Sequence, residues 1–126
     1  MARFILTWGV IVLTFDLVAS VTSIVAGIPY GWFSLGSLLI YLSAGYIAAP
    51  RFGLPKTIAA VAVVALVDAT LGWGLSLALG AASLDDPDFS VPVVLISGAA
   101  SGLLFGAVVG AVGGWVGSRR SAVRVE

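Results

Sequence analysis

The sequence predicts an all-α membrane protein: four transmembrane helices in one antiparallel bundle, with both termini on the cytoplasmic side. Three observations carry this. Hydrophobic residues make up 60% of the 126 residues and charged ones only 10%, with a mean hydropathy of +1.16. A water-soluble domain carries about 25% charged residues, so this chain has too few to cover a solvated surface. Second, the charged positions leave apolar stretches near 20 residues or longer, the length that crosses about 30 Å of hydrocarbon. Third, all six Lys and Arg residues fall in segments on one side of a four-span chain.

The first span is expected at 4–26, ending at the turn "GIPYG" (27–31). Its apolar run is longer than the 7–15 residues of a signal-peptide core, and Asp16 interrupts it, so it reads as a retained helix. The second span, 32–49, stops at "PRFGLPK", where Pro50, Gly53 and Pro55 punctuate the chain. The third covers 55–81. A polar loop, "SLDDPDFS", follows, and the fourth span is 91–117. Together they form a single domain, 1–126.

Orientation follows from the basic residues. Arg3 lies at the N-terminus, Arg51 and Lys56 in the second connection, and Arg119, Arg120 and Arg124 at the C-terminus. The opposite side carries "GIPYG" and the loop with Asp85, Asp86 and Asp88. Such a bias places both termini in the cytoplasm; the membrane expected is a prokaryotic cytoplasmic (inner) one. Trp8, Tyr30, Trp32, Trp73 and Trp115 lie near span ends, as interfacial aromatics do.

Composition also excludes chemistry. With no cysteine, no histidine and Met1 as the single methionine, disulfides, zinc sites and haem held by His, Cys or Met are ruled out. Cysteine or histidine nucleophile–base pairs go with them. A net charge of zero gives no basic patch for nucleic acid. No cofactor, no metal and no enzymatic activity are therefore expected. The spacing of Asp85, Asp86 and Asp88 matches no EF-hand loop, so a solvated turn is the reading there.

Two carboxyls remain inside the spans. Asp16 is 13 residues beyond Arg3 and Asp68 is 12 beyond Lys56. Both helices start on the same side, so both groups sit at one depth, about 18–20 Å in at 1.5 Å per residue. Tyr41 and Ser101 occupy the middle of the second and fourth spans. Asp16, Asp68, Tyr41 and Ser101 thus form the candidate proton or cation site. A mid-membrane Asp costs about 2.5–3.5 kcal/mol even on the lenient insertion scale and is a functional candidate by default. Gly9, Asp16, Ser20, Ser23 and Gly27 share one small, polar stripe, as do Ala65, Asp68, Gly72 and Ser76. Such stripes face neighbouring helices. With no cation at that depth, at least one carboxyl is expected to hold a proton and donate to Tyr41, Ser101 or a carbonyl. The competing reading is polar glue that fixes helix register.

The fourth span places Gly98, Gly102, Gly106, Gly110 and Gly114 four apart, a glycine zipper. In water each glycine costs a helix about 1 kcal/mol against alanine. In lipid, close backbone approach through small residues supplies the packing instead. Five are more than one neighbour within a bundle requires, so Gly106 to Gly114 are expected to contact a second subunit. The function expected on that basis is a non-enzymatic, self-assembling or accessory subunit of a membrane complex, with the lipid bilayer and a homo-oligomer as its partners. The alternative is a proton- or cation-linked small transporter or channel using Asp16 and Asp68.

"GYIAAPR" and "GWVGSRR" (45–51 and 114–120) share a pattern of glycine, aromatic and final arginine, which interfacial arginines after Gly-aromatic pairs also produce. In "GYIAAPRFG" and "GAVVGAVGGWVG" the chain resembles small prokaryotic four-helix membrane proteins with a Gly-rich last helix. That resemblance implies the fold and no activity. Two other families fit less well. Asp16 falls where small multidrug-resistance transporters carry a coupling Glu, but nothing else in "WGVIVLTFDLVASVTS" is similar. "FSLGSLLIYLSAG" is similar to the second helix of fluoride channels, yet Tyr41 stands in place of Asn and the Phe/Thr-rich third-helix motif is missing. Both families often insert in two orientations, which a six-to-none charge bias opposes.

Overall fold

The computed structural model describes residues 1–83 and 90–123 of the chain. Asp85, Asp86 and Asp88 lie outside the described residues, as do Arg124 and Glu126. Helix accounts for 90% of the structure, with no strand among the described residues. Four segments are long and apolar enough to cross a membrane: Ala2–Ala26, Tyr30–Phe52, Leu54–Ala78 and Val91–Arg120.

Helix α1 (Ala2–Ala26) ends on Gly27, whose φ of 67° is left-handed and strains any residue with a Cβ. Pro29 then leads into a short 3-10 turn (Tyr30–Phe33) that runs into α2 (Ser34–Phe52). The expected stop before Pro50 is displaced, because α2 runs through it to Phe52. Proline here forfeits one helical hydrogen bond near a terminus rather than in mid-span. Gly53, at φ 77°, makes the actual break and opens α3 (Leu54–Val67), with Pro55 in its first turn.

The third span is not a uniform helix. A π turn at Asp68–Gly72 separates α3 from α4 (Trp73–Ala78). Residue periodicity does not reveal it. The last helix, α5 (Val91–Val123), is 33 residues long, more than the ~20 a span needs, and carries Arg119 and Arg120 on its final turns.

The α2 and α3 helices lie between α1 and α5: α5 packs on both, while α1 packs on α2, α3, the π turn and α4. The apolar core joins Val12 of α1, Tyr41 and Ala44 of α2, Val61, Val64 and Ala65 of α3 and Val109 of α5. Outward-facing side chains such as Leu6, Val25, Leu39, Ile96 and Leu104 are exposed and apolar, as lipid contact requires.

The glycine stripe has an intramolecular neighbour. A Cβ at Gly106 would collide with the Ala65 side chain and lie 3.0 Å from Ala62 Cα, and one at Gly110 would lie 2.8 Å from Val61 Cβ. Gly102 meets Ala69 and Ala65, and Gly114 meets Leu54 and Thr57. Within the chain, α3 packs on the face of Gly106 to Gly114 that was expected to meet a second subunit. A second row, unnoticed in the sequence, packs α5 on α2. Gly113 abuts Leu42 backbone, Gly117 abuts Tyr46 backbone, and Gly45 lies against Gly110, Gly113 and Gly114. Five glycines and more are needed because α5 wedges between two helices at backbone contact. The two similar motifs meet there, with Arg120 Nη1 donating to Tyr46 Oη at 2.6 Å.

Candidate functional site

Asp16 and Asp68 meet within one chain. Asp16 projects from the buried side of α1 and is 2% exposed. Asp68 opens the π turn, which packs against α1. The two carboxyls converge on Gly72. Gly72 makes the approach possible: a Cβ there would collide with Asp16 Oδ2 and lie 2.8 Å from Asp68 Oδ1.

Phenols flank the pair from the second span. Tyr41 Oη donates to Asp68 Oδ2, and Tyr30 Oη donates to Asp16 Oδ1 at 3.2 Å. A further contact ties the first and third spans together, Ser20 Oγ to Ser76 Oγ at 2.9 Å, with Ser76 also donating to Gly72 O at 3.1 Å. One oxygen is left over. Asp16 Oδ2 is buried with no hydrogen-bond partner among the described residues. Ionised carboxylates only accept, so two of them cannot satisfy each other. A proton carried by one of the two carboxyls would supply the missing donor.

The pair forms part of the wall of a cavity of about 640 Å³. Its polar lining is Asp16, Asp68, Tyr30, Tyr41 and four serines, Ser34, Ser37, Ser97 and Ser101; its aromatic lining adds Phe33, Trp73 and Phe105. Phe105 stands edge-on to Tyr41 with ring centroids 6.2 Å apart. The cavity exists because α2 and α5 touch at backbone distance around Gly45 and Gly113, while their other ends, carrying Leu35 and Val94, stand either side of it. Val12, Val61, Val64 and Val109 lie on its far side. The mouth therefore belongs to the end of the bundle bearing the "GIPYG" turn.

Of the four site residues expected from sequence, Asp16, Asp68 and Tyr41 come together on one cavity wall, with Tyr41 hydrogen-bonded to Asp68. Ser101 lines the same cavity, but no hydrogen bond among the described residues links it to either carboxyl. Sequence reasoning missed Tyr30, assigned only to the interface. Its signal was available in the tight "GIPYG" turn, which returns the chain beside the helix it has just left. Compared with protein-family models, curated proteins and solved structures, the chain matches none.

Proposed function

We propose that the protein is a proton- or cation-linked small transporter in which Asp16 and Asp68 form the coupling site. The observation that supports this reading is a buried carboxyl pair, one oxygen of it unpartnered, in the wall of a mid-span cavity. Intramembrane ionisable residues mark ion and proton pathways. Two carboxyls this close resist double ionisation, so a proton and a cation compete for them. The apolar residues beyond the pair favour a carrier over a continuous pore.

The self-assembling accessory reading rested on a glycine stripe free to meet a second subunit, and α3 occupies that stripe. We read the chain as non-enzymatic, since it lacks the cysteine and histidine that most nucleophile–base sets use. The Lys/Arg bias supports both termini inside, in what we read as a prokaryotic cytoplasmic membrane. In that orientation the cavity mouth faces out.

Proteoliposomes with a trapped pH-sensitive dye test the proposal. Imposed gradients of Na⁺, K⁺ or a lipophilic ammonium ion should drive proton movement for at least one of them. Asp16→Asn and Asp68→Asn should each reduce the flux tenfold or more while the protein remains monodisperse. Flux unchanged in both variants, or no flux above protein-free vesicles with any cation, overturns it.

A further inference from the structure

We infer that the cavity takes a lipophilic organic monocation, an amine or quaternary onium, held by the Asp16 and Asp68 carboxyls and by aromatic faces. This deepens the transport reading above and rests on it. Four features of the structure point to this class of ligand.

Size is the first. About 640 Å³ falls within the ~300–1,000 Å³ range of small-molecule sites and far exceeds a bare ion. Ligand count is the second. Hard divalent ions need about six or more oxygens in close array, and the described residues bring no third His, Cys, Asp or Glu to the pair. Both phenols already donate their O–H to the carboxyls, so they offer no donor to an anion and keep oxygen lone pairs and ring faces for a cation.

The third feature is the aromatic wall. Tyr30, Phe33, Tyr41, Trp73 and Phe105 line a single space that contains a negative group and no Lys or Arg. A cation over such faces gains quadrupole attraction, more when desolvated. An anion would be repelled by the carboxyl pair, and a neutral solute would leave its charge unanswered. The fourth is access. Phe105 is 48% exposed and Leu35 59% exposed although both line the cavity, so beside its mouth the space is also open on the α2–α5 flank. A solute that partitions into the bilayer reaches it from there.

Proton and guest then exclude each other. The titratable groups facing Asp16 are Asp68 on the π turn, Tyr30 before α2 and Tyr41 on α2; α5 contributes only Ser97 and Ser101. Binding of one cation releases one proton from the pair, which conserves charge.

Purified protein titrated with tetraphenylphosphonium, followed by Trp fluorescence, tests the inference. Affinity should fall on the order of tenfold per pH unit of acidification through the pair's titration. It should drop tenfold or more in Asp68→Asn, and neutral triphenylphosphine oxide should bind far more weakly. Equal binding of the neutral oxide, or undiminished affinity in a folded Asp68→Asn, overturns it. If Asp68→Asn does not fold, Phe105→Ala at the open wall carries the test: a several-fold loss supports the inference, and wild-type affinity overturns it. Na⁺-driven proton flux without tetraphenylphosphonium binding sinks this inference while leaving the transport reading intact. Absence of any cation-linked flux sinks the transport reading instead.

Discussion

Glycine at position 72 decides whether two carboxyls can share one place. Its missing Cβ is the space that Asp16 Oδ2 occupies, with Asp68 Oδ1 2.8 Å from where that Cβ would stand. Two phenols hold the acids, Tyr30 on Asp16 and Tyr41 on Asp68, and a Ser20–Ser76 hydrogen bond ties the same spans together. Gly72→Ala should therefore separate the pair. Overpacking of this kind costs about 1–3 kcal/mol. The expected outcome is a modest fall in Tm together with loss of the protonated-carboxyl infrared band expected of wild type. A Gly72→Ala protein with an unchanged band would mean that the two acids do not share a proton. The sequence spoke clearly about Asp16, Asp68 and Tyr41, because equal distance from the basic side of the membrane fixes equal depth. It could not speak for Tyr30, since the reach of a side chain across a turn depends on the turn's path.

At the scale of elements, two departures from regular helix build the site. The π turn at Asp68–Gly72 re-aims Asp68 without ending the span, and the 3-10 turn at Tyr30–Phe33 sets a phenol against α1. Neither has a sequence signature as plain as Gly53, whose positive φ marks the break between the second and third spans. Helix α5 shows the reverse case. Its glycine periodicity was legible, but the neighbour it serves was not, because spacing reveals a face and not what covers it. Gly106→Leu should now unfold the bundle rather than dissociate an assembly, since Ala65 side chain and Val61 backbone already fill the position. The check is a lowered Tm and loss of monodisperse protein with no change in subunit stoichiometry at low loading. A well-folded Gly106→Leu of altered stoichiometry would restore the intersubunit reading.

For the whole molecule, the testable property is sidedness. The chain has no cysteine, so single introduced thiols report without background. Ile28→Cys, at the exposed turn after α1, should react with a membrane-impermeant maleimide in intact cells. Arg51→Cys, exposed at the other end of the bundle, should react only after lysis. The opposite pattern would place the cavity mouth in the cytoplasm and reverse the direction of access. Membrane class, the number of spans and the depth of both acids were determined by sequence alone, because hydrocarbon thickness and the charge penalty act on each segment separately. Only the tertiary structure decided that α5 is wedged between α2 and α3, that Asp16 and Asp68 meet, and that an aromatic cavity opens beside them. Those are properties of relative helix placement, set by backbone approach at glycine and by a one-residue π insertion, and no single segment carries them.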